Sequence, residues 1–157
     1  TSLSGFAVRD LITVTNTTSN NSTFTVKTVT SANELIVEEI VTTETTDGST
    51  ETFLDHTGFV SDKAKGDGYF SQPDGVHTVA YQVNATLTGS IKMQGSLATT
   101  PTEDDFFDIS DTTFTSDTST TIAFFNFTGN FVWVRAKCET TNSSSNGAMV
   151  TSILLNS

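Results

Sequence analysis

The feature that most constrains this chain is the way its apolar residues alternate. In Val76-His77-Thr78-Val79-Ala80-Tyr81-Gln82-Val83, every second residue (His77, Val79, Tyr81, Val83) falls on one side if the segment is extended. Ser90 to Ala98 repeats the pattern, setting Ile91, Met93 and Leu97 against Lys92 and Gln94. FFDI (106–109), TIAFFNF (121–127), FVWVRAKCE (131–139) and AMVTSILL (148–155) add further short β-branched and aromatic runs. The best helix candidate, from Ser31 to Val41, contains ELIVEEIV, and its β-branched content again favours a strand. A chain written in period two predicts an all-β fold.

The turns support that reading. Only Pro73 and Pro101 punctuate the sequence, and clusters of Asn, Asp, Ser and Gly mark the breaks, among them Pro73-Asp74-Gly75, Thr88-Gly89, Gly129-Asn130 and 142–147. Roughly a third of the residues are Thr or Ser. Thr suits a pleated strand whose hydroxyl faces water, so its abundance implies sheets with solvated faces.

Two unequal parts are expected. Residues 1–56 read as a small β module: LITVT (11–15), the turn-rich NTTSNNS (16–22), FTVKTVT (24–30), a hairpin at Ser31-Ala32-Asn33, ELIVEEIV (34–41) and a closing strand near Leu54. Such a module has a marginal core of its own. Residues 57–67 read as a linker, with a small basic pair at Lys63 and Lys65. Residues 68–157 read as an antiparallel β-sandwich of jelly-roll type.

The formal net charge of −11 disfavours nucleic acid and anionic membrane as partners. Cys138 is the only cysteine, which leaves no intrachain disulfide and no cysteine zinc cluster. No run has the length of a transmembrane helix, and no basic-then-apolar leader opens the chain.

Chemistry is sparse. His56 and His77 have no spaced metal-ligating partners, and His77 is expected at the rim of a strand, hydrogen-bonded to backbone. Glu103, Asp104, Asp105, Asp108 and Asp111 offer hard oxygen ligands of the kind Ca²⁺ takes, without EF-hand spacing; a solvated acidic loop is the reading preferred for them. No nucleophile elbow, phosphate loop or Cys/His pair is present, and Asp104 and Asp105, as neighbours, point apart on a strand. No catalytic residue, cofactor or metal ligand is therefore assigned. In Phe131–Glu139, Phe131, Trp133, Arg135 and Lys137 share one face and Val132, Val134, Ala136 and Cys138 the other. Phe131, Trp133 and Arg135 are the candidate interface residues, for a subunit contact or a sugar. Six N-x-S/T sequons begin at Asn16, Asn20, Asn21, Asn84, Asn126 and Asn142; in a secreted eukaryotic protein they would be glycan sites, and in a chain this rich in Thr and Ser most are taken as compositional.

The stretch Gly66–Ile109, with its D-G-x-H-T strand, T-G-x-I-x-x-Q-G-x-L-A hairpin and T-P-T-x-D-D-F-F loop, together with GNFVWVRAKCE (129–139) and a terminal SILLN, resembles virion structural proteins of tailed bacteriophages, of marine cyanophage type. DLITVT and SNNSTFTVKTV resemble a short β module of phage structural proteins, with Arg9 standing where Gly is expected and Ser22 where Gly is commoner. The resemblance implies a non-enzymatic virion protein without a cofactor. The leading expectation is a capsid decoration (cement) protein on the outer surface of the head, a homo-oligomer (a trimer among the options) bound to the major capsid protein or other virion proteins. Its alternatives are a tail, neck or fibre component and a carbohydrate-binding adhesin. In one arrangement the N-terminal module, with Phe6-Ala7-Val8, anchors to the capsid and the sandwich faces outward; the opposite orientation is the alternative.

Overall fold

The computed structural model describes residues 3, 5–45, 52–72, 75–84, 87–117, 119–140 and 150–156. The turns expected at Pro73-Asp74 and 142–147, the sequon at Asn142 and the start of the last expected strand at Ala148 lie outside them.

The fold is all-β, with two antiparallel sheets. In chain order the strands are β1 (Asp10–Thr15), β2 (Ser22–Ser31), β3 (Glu34–Val37), β4 (Phe53–Val60), β5 (Ala64–Lys65), β6 (Val76–Val83), β7 (Gly89–Ser96), β8 (Phe107–Asp108), β9 (Phe114–Thr115), β10 (Ile122–Thr128), β11 (Trp133–Thr140) and β12 (Val150–Asn156). A 3₁₀ turn, Glu103–Asp105, precedes β8. The larger sheet runs β3-β2-β1-β4-β11-β7-β8, with β5 on β11 and β9 on β7; the smaller runs β10-β6-β12.

The main core draws on both sheets. Val79 and Tyr81 from β6, Ile91 and Met93 from β7, and Val134, Ala136 and Cys138 from β11 join Phe114, Phe127 and Phe131. The face anticipated for β6 is observed: His77, Val79 and Tyr81 are fully buried and Val83 nearly so. Burial of Val79 and Val83 contributes about 1.5–3 kcal/mol each. Tyr81 and Thr112 carry matched polar groups into this core, whereas His77 Nδ1 has no hydrogen-bond partner among the described residues. Tyr81 Oη donates to the Thr112 carbonyl (2.9 Å), while Thr112 Oγ1 accepts from Met93 N–H (3.0 Å) and donates to the Ile109 carbonyl (2.7 Å).

A smaller core serves the N-terminal strands, where Ile12, Phe24 and Val26 are flanked by Phe6, Val14, Leu35, Val37 and Leu54. The hairpin at 31–33 forms, but β3 stops at Val37 and the chain turns into a strap. Side chains tie that strap down. Glu39 accepts from Thr25 N–H (2.8 Å), Asn20 exchanges two bonds with the backbone of Thr42, and Glu44 accepts from the N–H groups of Thr18 and Ser19. These donors, Thr18 foremost, hold the Glu44 carboxyl below its ordinary pKa.

The segment expected as a linker carries strand structure. β4 continues past His56 to Val60, pairing with β1 on one edge as far as Phe59 and with β11 on the other through Gly58↔Glu139, Phe59↔Cys138 and Val60↔Lys137. Between the Leu11↔Gly58 and Ile12↔His56 pairs, Thr57 is the extra residue of a bulge, and its hydroxyl bonds Thr13 Oγ1 (3.2 Å). Gly58, at φ +150°, has Cys138 O where a Cβ would lie. Arg9 occupies the left-handed region at φ +75°, the conformation glycine would adopt there. Its N–H donates to the Val26 carbonyl (2.7 Å) and its guanidinium meets Asp62 at 2.5 Å. A cut after residue 56 would thus divide β4 rather than free a module.

Candidate functional site

The outer side of β11 and its neighbours collects the chain's distinctive chemistry. Arg135 is buried, with Nε donating to Gln94 Oε1 (3.0 Å) and Nη1 facing both Glu103 oxygens (2.7 and 2.9 Å). Its guanidinium carbon lies 3.8 Å from the centre of the Phe106 ring. Burial lowers the Arg135 pKa, partly countered by Glu103. This arrangement floors a groove of about 700 Å³ whose other wall comes from Phe24, Thr25, Glu39 and Thr42. The Nε and Nη1 donors of Arg135 are used inside the chain and hold the 3₁₀ turn against β11.

The acidic cluster dissolves into separate structural duties. Glu103 pairs with Arg135, and Asp105 closes a capping box on Thr102, accepting from its N–H (2.7 Å) and its hydroxyl (2.8 Å). Asp108 meets Lys92 (2.7 Å) and accepts from Gln94 Nε2 (2.9 Å). Burial alone would raise the Asp108 pKa, but the Lys92 and Gln94 hydrogen bonds outweigh it and hold the carboxyl low. Among the described residues, no three His, Cys, Asp or Glu side chains are placed to share a metal ion. No helix there is long and apolar enough to cross a membrane.

The three candidate interface residues separate. Phe131 precedes β11, so strand alternation does not reach it, and it points into the core. Its ring contacts His77, Phe127 and Phe107 and fills space left by Gly95 and Gly129, where a Cβ would come within 2.6 and 2.3 Å of it. His77 is a core residue rather than a rim one. Its ring stacks on Phe127 at 4.9 Å, and because a carbonyl can only accept, its Nε2–H donates to Gly129 O (3.0 Å). Cys138, further along β11 opposite Ile91 and Phe59, is also buried, and burial pushes its thiol up to about 12.

Trp133 keeps part of its ring at the surface, anchored by Nε1–H donating to the Thr99 carbonyl (3.1 Å). Around it stand Lys63 and Lys65, from the segment read as a linker, and Tyr69 and Phe70, from the start of the part read as a sandwich. Tyr69 meets Trp133 edge-to-face at 5.3 Å and Phe70 likewise at 5.3 Å. Lys63 Nζ lies 5.0 Å from the Trp133 ring and Lys65 Nζ 4.0 Å from that of Tyr69. β5 makes this possible: its pairing of Lys65 with Trp133 and Ala64 with Val134 lays the Lys-x-Lys segment along β11. The usable signal was the spacing of the two lysines, which places both on one side of an extended chain.

Comparison with known protein families, curated proteins and solved structures returns no match.

Proposed function

We propose that the chain is a non-enzymatic virion structural protein of a tailed bacteriophage, a decoration protein on the outer surface of the head that assembles as a homo-oligomer. Its two sheets would stack as an antiparallel sandwich of jelly-roll type. The phage assignment rests on the motifs of residues 66–109 and 129–139. The assembly role rests on one observation: the smaller sheet is free of charge.

β10, β6 and β12 contain no Asp, Glu, Lys or Arg, in a chain of net charge −11. Their inward residues fill the core, while Phe124, Ala80 and Leu154 align across the outer face through the pairs Phe124↔Ala80 and Leu154↔Ala80. Ile122, Phe124 and Leu154 are each more than half exposed. Copies of so acidic a chain repel one another over most of their surface, so self-association favours an uncharged, apolar face. Among the described residues β10 pairs only with β6, in unbroken register, and carries neither charge nor proline to blunt its free edge.

The purified chain is expected to sediment as a closed oligomer, and Phe124→Asp to dissociate it to monomer without unfolding; a wild-type monomer at micromolar concentration overturns the assembly role. Immunogold labelling of purified particles is expected to decorate the head. Label on the tail, or none, overturns the decoration assignment.

A further inference from the structure

We infer that Lys63, Lys65, Tyr69, Phe70 and Trp133 form a binding site for an acidic polysaccharide, one whose sugar rings carry carboxylates. The inference is independent of assembly, which uses the other sheet.

The argument begins with the distribution of charge. Seven residues of the chain are Lys or Arg. Five face a carboxylate: Arg9 meets Asp62, Lys27 meets Glu38, Lys92 meets Asp108 and Glu139, Arg135 meets Glu103, and Lys137 meets Glu139. Lys63 and Lys65 have no carboxylate within ion-pair distance among the described residues, although Asp and Glu outnumber Lys and Arg by 18 to 7. Both are exposed, and both ammonium groups stand over aromatic rings. A ring face attracts a cation without neutralising it. The pair is therefore a local positive spot on an acidic surface, and an anion approaching elsewhere is repelled.

The rings define the second requirement. Tyr69 and Phe70 are 44% and 58% exposed, and Trp133 is held in place by its bond to Thr99. The two edge-to-face contacts turn neighbouring rings through 64° and 72°, so the cluster presents apolar surface in more than one direction. A pyranose offers an apolar C–H face for such rings, and a uronic acid adds a carboxylate that a lysine can pair. A densely charged phosphate backbone would meet the repulsion of the whole chain. A polymer with one carboxylate per sugar, stacked on the rings, meets much less of it.

The test is affinity electrophoresis of the full chain in gels containing polygalacturonate, neutral dextran or dextran sulfate. Retardation by polygalacturonate and not by dextran is expected. Binding should weaken about tenfold both in the double variant Lys63→Ala, Lys65→Ala and in Tyr69→Ala, and remain unchanged in Lys27→Ala, whose lysine lies on β2. The same behaviour is expected of the Phe124→Asp chain, which separates this site from assembly. Three results overturn the inference: no retardation by polygalacturonate, retardation that survives both patch variants, or equal retardation by dextran sulfate that Tyr69→Ala leaves intact, which would mark a purely electrostatic contact.

Discussion

Asp117 shows how much a single exposed side chain can organise in a chain this rich in hydroxyls. Its Oδ1 accepts from the N–H groups of Ser119 (3.0 Å) and Thr120 (2.7 Å), and its Oδ2 from the Thr120 hydroxyl (2.7 Å). The hydroxyl and backbone donors of Thr120, then Ser119 N–H, lower the carboxyl pKa from 3.8 to about 2. A group depressed in the folded state stabilises it fully above the unfolded pKa, and that contribution fades as pH falls through the folded value. Asp117→Asn is expected to lower the melting temperature at pH 7. The gap should narrow from about pH 4 downwards and nearly close below pH 2, where the aspartate is also neutral. Melting both proteins by circular dichroism from pH 7 to pH 2 checks this, and a gap constant with pH would show that the charge is irrelevant. Period-two reading served best at the residue scale within paired strands, as at His77 to Val83, and failed just beyond their ends. Leu97 was expected inside with Ile91 and Met93, yet β7 stops at Ser96 and Leu97 is exposed. Phe131 errs in the opposite direction for the same reason: alternation is a property of the hydrogen-bonded ladder, and neither residue belongs to one.

At the scale of elements, β4 decides how the N-terminal strands meet the rest. β4 pairs with β1 along most of its length, from Phe53 to Phe59 across the bulge at Thr57, and its last residues, Gly58 to Val60, also pair with β11 on the opposite edge. Gly58→Ala would place a Cβ 2.0 Å from Cys138 O at a φ that side chains rarely adopt. We expect a loss of about 3 kcal/mol or more, or roughly 6–12 °C in melting temperature for a chain of this length. Gly5→Ala, with nothing within 4 Å of the added atom, should be silent. Thermal melting of the two variants side by side checks both expectations. β4 was hard to read because its second half, Thr57-Gly58-Phe59-Val60, contains a glycine and borders a polar stretch. Its partner β11 lies some 80 residues away, and such a pairing leaves no local mark. Long runs such as β6 and β10 needed no such partner to be recognised. The aromatic patch was half legible: Trp133 stood out, while Tyr69, Phe70 and the two lysines acquire meaning only through the β5–β11 pairing.

For the whole molecule, shared sheet and divided core make opposing demands. The two hydrophobic clusters have no residue in common, which would favour independent unfolding of the N-terminal strands. Against that, β1 is bonded to β4 and β4 to β11, so the larger sheet is continuous from β3 to β8. The small cluster has only Ile12, Phe24 and Val26 fully inside, about 5–9 kcal/mol of burial before any entropy is counted. Ordering its roughly 50 residues costs far more than that. The N-terminal strands therefore depend on the sheet they extend, and the chain should unfold in one cooperative step. Trp133, the single tryptophan, reports the β11 environment by fluorescence, whereas far-ultraviolet circular dichroism reports every strand. In urea the two signals are expected to share one midpoint and one slope. A circular dichroism change that begins before the fluorescence change would mean that the N-terminal strands melt first, on their own, despite the ladder that joins β4 to β11.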